Sequence, residues 1–559
     1  MTDFRMRKSF LALAAAFVCC ISCIETNYRI GSELMPKNQA YTIYTRTIPI
    51  KEISMAMADS LSGYSSSRIT IGAVRDEIFG LGTRSCALTL IPLFQDSLDL
   101  GKNPEFKSFH FAAAKDTVSY SRPDQERIFQ TFKVYELEEP LDASVDFDCN
   151  KPVAHLDRSI TKGSVVYTGD DSLSFNFSGE FGRRYLEELD DEVLKDIDSY
   201  LEKFPGIYIE ADAPAGNGGR INMFDLQLGY NSEYGFIEGN YASLRFSSEF
   251  DGERKDTTLR FYYGATDFYD LDSLLTYSGS GSFPQYSLNL TSQETEKFAG
   301  QADDRILVEG GGGLKPKIAA KYLKKLTEDA ILEVGGDPNT AVINKASIVL
   351  PFEFPDDYTE MDHWPQILSP TCRVVVKPDE DGEGGSARFI SLSDTSDENA
   401  DQGDVNRSTL RYSPDITYHL QSLIRLDETD TSDELTQRLE NGSFDVWFLI
   451  MANEVTVTTE SGSSEMSELY NYLAYQSYYN DMYGYGYGYG SYGNYYSNYY
   501  TYAMMAAMYS SSSTTESISV QLDKDRYYNA VLNGPDSPDE SKVPQLKLTF
   551  AIPIEEPEE

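Results

Sequence analysis

"FPGIYIEAD", residues 204–212, decides the fold class, and its echo "FDVWFLIMA", residues 444–452, decides the domain plan. In the first stretch Ile207 and Ile209 alternate with Tyr208 and Glu210 behind a Pro-Gly break, the period-two pattern of a half-buried strand. Working outward, alternating or β-branched runs recur in "CALTLIPLF", "KSFHFAAA", "IFQTFKVYEL", "DSLSFNFSG", "INMFDLQLGY", "ASLRFSSEF" and "TTLRFYYG". Each is bounded by Gly, Pro, Asp or Asn. A few stretches have helical spacing instead. In 182–204, Tyr185, Leu189, Val193 and Ile197 recur every four residues; 316–331 and 416–426 are the others. Many short strands with few short helices predict a mainly β protein of sandwich or barrel type.

The echo is one of four. "FKSFHFAAAKD" at 106 matches "NKASIVLPFEF" at 344, "FKVYEL" at 132 matches "CRVVVK" at 372, and "FGRRYLEELD" at 181 matches "ITYHLQSLIR" at 416. With 204 against 444, the offsets are 238, 240, 235 and 240, in one order along the chain. That regularity predicts two tandem copies, at 41–282 and 283–559. The closing strands, "TLRFYYG" at 258 and "QLKLTFA" at 545, are offset by 287, so the second copy carries extra residues before its last strand.

The 559 residues are too many for one core, and 41% of them are hydrophobic, enough to bury two. Asp and Glu total 89 against 47 Lys and Arg, a net charge of −42. Such a surface repels phosphate backbones, which excludes nucleic acid as a partner. It also repels anionic membrane faces, so any membrane attachment must not rest on a basic patch.

The N-terminus offers another attachment. Residues 1–22 have a positive start (Arg5, Arg7, Lys8) and an apolar run from Phe10 to Ile21, too short to span a bilayer and suited to a cleaved signal peptide. "CISCIETN" follows and resembles a bacterial lipobox. Cys23, after Ser22, is the expected lipidation site; Cys20, after Cys19, fits less well. Three acyl chains at about 0.8 kcal/mol per buried methylene would hold Cys23 on a membrane. Ordinary secretion with cleavage nearby is the alternative. Residues 23–40 would then form a tether. Only Glu25 follows promptly as an acidic export signal, which leaves the cell surface and the periplasmic face both open. Of the remaining cysteines, Cys86, Cys149 and Cys372, only a Cys86–Cys149 bridge is conceivable, and no zinc spacing occurs.

The extra length of the second copy is a low-complexity insertion at about 460–515, where residues 470–502 hold 15 of the chain's 40 tyrosines. Gly484, Gly486, Gly488 and Gly490 alternate with Tyr483, Tyr485, Tyr487 and Tyr489, and Tyr492 follows. No Lys or Arg lies between Arg438 and Lys524, so this is no stacking platform for nucleic acid. It reads as a solvated loop, or as a contact loop for sugar rings or a partner protein.

Catalytic signatures are missing. The four histidines, His110, His155, His363 and His419, form no HExxH or close pair, and His419 on "ITYHLQSLI" reads as a surface or cap residue. "EGGGGLKPK", 309–317, lacks the ending of a phosphate loop and reads as a tight hairpin. No cofactor is implied. Asp379, Asp381 and Glu383 in "PDEDGEGG" are oxygen ligands of the kind calcium takes, but the twelve-residue hand is absent and a solvated turn is preferred. "Asp-Ser/Thr-apolar" recurs at Ser60, Ser97, Thr117, Ser172 and Ser273. It resembles the O-glycosylation sequon of Bacteroidota envelope proteins, and turn-to-strand chemistry explains some of these sites equally well.

"NYRIGSELMPKNQAYTIYTRTIPI", "FPGIYIEAD", "RILVEGGGGLKPKIA", "INKASIVLPF" and "VPQLKLTF" together resemble a family of uncharacterised Bacteroidota lipoproteins, domain of unknown function 4270. The likeness runs over nearly the whole mature chain and implies an outer-membrane lipoprotein with no established activity. Each copy is also loosely similar to secreted jelly-roll modules, so the expected fold is two tandem jelly-roll-like β-sandwiches. Two function classes follow. One is a non-enzymatic binding, adhesion or scaffold module offering its loops to glycan or envelope protein. The other is a glycan-active hydrolase using paired carboxylates.

Overall fold

The computed structural model describes residues 40–554 except 66–67, 93–98, 117–118, 123, 143–146, 191, 196, 227, 232–235, 264–286, 376–386, 397–400, 427–438 and 460–513. The expected signal peptide, Cys23 and most of the expected tether lie outside the described residues, as do the tyrosines of 470–502.

The protein is mainly β, as its alternation predicts, with two cores each enclosed between antiparallel sheets. The strands of the first half are β3 (Arg68–Asp76), β4 (Gly80–Leu88), β5 (Leu90–Pro92), β6 (Lys102–Ala114), β7 (Gln130–Glu136), β8 (Val165–Tyr167), β9 (Ser172–Asn176), β10 (Ile207–Ala211), β11 (Gly218–Asp225) and β12 (Tyr241–Phe250). They follow β1 (Tyr41–Pro49) and β2 (Ser54–Met57) and precede β13 (Glu253–Tyr263) and β14 (Ser287–Gln293). The second half contributes β15 (Arg305–Glu309), β16 (Leu314–Ile318), β17 (Val342–Pro351), β18 (Ile367–Val375), β19 (Ala387–Ser391), β20 (Arg411–Tyr412), β21 (Val446–Thr459), β22 (Thr514–Leu522), β23 (Asn529–Asn533) and β24 (Gln545–Pro553).

The internal repeat is visible in the pairing. One sheet of the first sandwich runs β9-β6-β12-β13-β5, and its counterpart in the second runs β20-β17-β24-β1. The other sheet contains β8-β7-β10-β4, matched by β19-β18-β21-β16. β3 pairs with β11 as β15 pairs with β23, and β14 lies on β4 as β2 lies on β16. All four internal echoes fall on equivalent elements: β6 and β17, β7 and β18, the helices, and β10 and β21. The fifth match does not. The counterpart of β24 is β12, and that of β13 is β1, because period-two alternation cannot tell one strand from its neighbour.

The expected boundary at 282/283 is therefore not where the pairing divides. β1 and β2 precede the first sandwich in sequence but pair with β24 and β16 of the second. β13 and β14 play the same part for the first sandwich, pairing with β12 and β4, and β14 lies wholly beyond the expected boundary. Each tandem copy thus begins with two strands that complete the other copy's sandwich. Ile50 and Ile53, between β1 and β2, are fully buried in the second core beside Leu314, Ile348 and Leu548. Leu288 and Leu290 of β14 sit in the first core with Phe109, Phe111, Ile207 and Phe261.

Among the described residues four α-helices cover the sandwiches: α1 (Gly179–Glu188), α2 (Ile197–Lys203), α3 (Ala320–Glu333) and α4 (Thr417–Ile424). The helix expected over 182–204 is broken. Asp190 Oδ1 accepts from the backbone N–H of Glu192 and Val193, which starts a new short turn instead of continuing α1. α1 is capped by Ser178, whose hydroxyl accepts from Phe181 N, and it buries Phe181 and Tyr185 against Phe109. The helix expected to begin at 316 begins at Ala320, because Leu314–Ile318 is taken as a strand between β2 and β21. Asp445, the residue just before β21, accepts through Oδ1 from Ala320 N and so caps α3 from far along the chain.

β21 and β22 pair antiparallel, with Thr459 opposite Thr514. The tyrosine-rich insertion is thus the connection of a β-hairpin. Among the described residues no helix is long and apolar enough to cross a membrane.

Candidate functional site

The chemistry-bearing residues of the described chain concentrate where the two sandwiches meet. The glycine stretch after β15 turns at 310–313, where Gly311 takes φ +58, but the expected hairpin does not form, because β15 pairs with β23 while β16 pairs with β2 and β21. The turn points its carbonyls inward, and Lys315 answers them. Its Nζ donates to the carbonyls of Glu309, of Gly311 at 2.9 Å and of Gly313 at 3.0 Å. Arg84 of β4 donates to Gly310 O at 3.4 Å, and Asn150 Nδ2 donates to Gly312 O at 3.0 Å. A turn of the second half is thus held by two residues of the first. The Glu309 carboxylate accepts from Thr295 Oγ1 and from Leu314 N.

This seam is deep. Lys315 is 1% exposed, and burial pushes its ammonium down to about 7. Burial also raises the Glu309 carboxyl and lowers the Arg84 guanidinium. A lysine near neutrality is a nucleophile in other settings. Here all three of its donors are engaged by backbone carbonyls, which makes it a clamp.

A second clamp mirrors the first. Lys524, after β22, donates to the carbonyls of Ser62 and Tyr64, both at 2.5 Å. Asp525 accepts from Asn289 Nδ2 at 3.0 Å and from Ser65 Oγ at 3.2 Å. Tyr120 packs against Tyr527 and, edge-on, against His363, with centroids at 4.3 and 4.2 Å.

Two arrangements lie outside the seam. On the first sandwich Tyr135, His155 and Tyr208 form a half-buried group of near-parallel rings. His155 stands 4.7 Å from Tyr135 and 4.6 Å from Tyr208, with interplanar angles of 15° and 9°. Lys133 of β7 and Asp212, just after β10, pair at 2.5 Å beside this aromatic platform. The second arrangement is a carboxyl pair. Arg68 binds Asp116 at 3.1 Å, and burial, with a smaller contribution from Asp116, pushes the Asp225 carboxyl up to about 7.

The residues singled out in the sequence are dispersed. Tyr483, Tyr485, Tyr487, Tyr489 and Tyr492 lie outside the described residues, as do Cys23, Ser97, Thr117, Ser273 and the acidic set Asp379, Asp381 and Glu383. Ser172 is exposed at the start of β9. Ser60 is half-buried in a turn, where its hydroxyl accepts from Arg373 Nε at 2.9 Å beside an Arg373–Asp59 ion pair of 3.1 Å. The Cys86–Cys149 bridge is not formed; those thiols and that of Cys372 are free and buried. His419, expected at the surface or at a cap, is half-buried in the first turn of α4. Its Nε2 lies 3.0 Å from Phe444 O, and burial pushes the ring down to about 4. Asp394 caps α4 from outside by accepting from Tyr418 N and His419 N.

No protein-family model, curated protein or solved structure matches the chain.

The seam was not legible in the sequence. Arg84, Glu309, Lys315 and Asp525 are scattered among 89 acids and 47 bases and carry no local motif. The one available signal was a lysine two residues beyond four glycines. The aromatic platform had a signal too, since alternation already places Tyr135 and Tyr208 outside their strands.

Proposed function

We propose that the chain is an outer-membrane lipoprotein, lipidated at Cys23, that acts as a non-enzymatic binding, adhesion or scaffold module of the cell envelope. One observation carries the non-enzymatic part. The buried ammonium of Lys315, lowered by desolvation, is engaged with three carbonyls inside the seam and serves cohesion. Among the described residues the Tyr135–His155–Tyr208 platform offers a contact surface, and the tyrosine-rich composition of the segment between β21 and β22 supports a second. Aromatic faces beside polar groups suit sugar rings and partner proteins.

Two measurements test this reading. Labelling with a fatty-acid analogue should mark the wild type and not Cys23→Ala; equal labelling of both refutes the anchor. A glycan and envelope-protein binding screen should lose its signal in Tyr135→Ala/Tyr208→Ala or on deletion of 460–513. Binding unaffected by both changes refutes these surfaces. Protease shaving of intact cells then assigns the membrane face.

The hydrolase reading has one observation in its favour. Burial lifts the Asp225 carboxyl to about 7, the range in which a general acid works, and Asp116, held by Arg68 at 3.1 Å, contributes to that shift. Glycan hydrolysis abolished by Asp225→Asn would establish it, and the absence of turnover on any glycan that the protein binds would remove it.

A further inference from the structure

β1 is an edge strand whose outer side has no strand partner among the described residues; it pairs with β24 alone. Hydrogen bonds at both ends fix which groups point outward. Ile554 N donates to Ala40 O at 3.0 Å, and Ile50 N donates to Pro544 O at 2.8 Å. Between those pairs the even-numbered residues of β1 bond to β24. Tyr41, Ile43, Thr45 and Thr47 therefore turn their N–H and C=O groups away from the sheet. The side chains of the same four residues are exposed, Ile43 at 65%. Pro49, the next outward position, has no N–H to offer.

The other sandwich shows what this edge accepts. β13 is the counterpart of β1, and its outer edge is covered by β5, with Tyr262 opposite Ile91. In the second sandwich nothing described fills that place. Long uncovered edges are usually guarded by charge or proline. Here Arg46, whose Nη1 donates to Thr45 O at 3.2 Å, is the one charge on the strand.

We propose that β1 pairs antiparallel with β1 of a second copy of this chain, joining the two four-stranded sheets across a two-fold axis. Register and charge favour a second copy. With Tyr44 opposite its own equivalent, Tyr41 meets Thr47 and Ile43 meets Thr45. All four outward residues then exchange both backbone bonds, and Pro49 falls just outside the ladder. The stretch from Ala40 to Ile50 contains no Asp or Glu, in a chain of net charge −42. It is thus a place where two copies can approach without opposing carboxylates.

The test uses the full chain with Cys19, Cys20 and Cys23 replaced by Ser, which leaves only the three buried thiols. Sedimentation velocity over roughly a hundredfold range of concentration should show a monomer–dimer equilibrium. Thr45→Pro removes an outward N–H and leaves the β1–β24 bonds in place. It should give a monomer with an unchanged thermal transition. As a check that does not depend on that variant folding, Tyr44→Cys places two sulfurs across a close, non-hydrogen-bonded pair. It should cross-link between chains at least about tenfold faster than Ile48→Cys. A chain monomeric throughout the range overturns the proposal, even if a strand of another protein occupies the edge. So does a dimer that survives Thr45→Pro, or equal cross-linking at 44 and 48.

Discussion

Lys315 is the residue on which the seam depends. Its ammonium answers three carbonyls that no solvent reaches, and an unanswered buried polar group costs about 1–3 kcal/mol. Lys315→Ala should therefore destabilise the protein by on the order of 3 kcal/mol or more, read from a denaturant titration. Gly206 is as constrained, for a different reason. Its φ is +119, and a Cβ there would stand 2.3 Å from the backbone oxygen of Leu88. Gly206→Ala should cost about 1–3 kcal/mol by the same measurement, and the Pro-Gly break of "FPGIYIEAD" is where the sequence announces this turn. Asp225 sets a pH dependence. Its folded pKa lies near 7, above the ordinary 3.8, so the native state holds a proton that the unfolded chain has already released. That stability is complete below about 4 and fades as pH rises to about 7. Melting temperatures across this window should fall less steeply in Asp225→Asn, and parallel slopes in both proteins would contradict the assignment. His419 acts in the opposite direction: its ring is held neutral near 4, so its contribution disappears as pH falls from about 6.5 toward 4.

Strands were easier to read than helices, because their identity follows from period-two alternation while a helix end depends on what approaches it. α4 illustrates the difference. Its core residues Leu420, Leu423 and Ile424 repeat at helical spacing, but the cap comes from Asp394, a residue on another segment. α3 loses its first expected turn to β16 because β2, more than 250 residues earlier in the chain, pairs with Leu314–Lys317. The strand exchange gives a prediction at this scale. Deleting 41–57 removes strands that precede the first sandwich in sequence. It should raise hydrogen exchange in β24 and β16 of the second sandwich while β6 and β12 of the first stay protected. Loss of protection confined to the first sandwich would mean that the pairing of β1 with β24 is wrong.

At the scale of the whole molecule, the two sandwiches share strands, the grip of Arg84 and Asn150 on the glycine turn, the Lys524 clamp and an aromatic contact at Tyr120, so neither is a complete unit by its own sequence. A fragment cut at the boundary the repeat suggests, 41–282, retains β1 and β2 without their partners and lacks β14. It should show no cooperative thermal transition, whereas the full chain should melt with both sandwiches coupled. A fragment 41–282 that melts cooperatively would show that the exchange is dispensable.

Legible in the sequence were the mainly β class, the regular offset between recurring strands, the place of the low-complexity segment and a turn at the four glycines. Each of these is written in local spacing: alternation of period two, a constant offset near 240 residues, composition, and residues that tolerate positive φ. Only the tertiary structure decided which copy each edge strand completes, that Cys86 and Cys149 stay apart, and that Arg84, Glu309 and Lys315 meet. A strand's hydrogen-bonding edge carries no address. Its backbone groups are the same in every residue, and the partner is selected by the burial of the sheet as a whole.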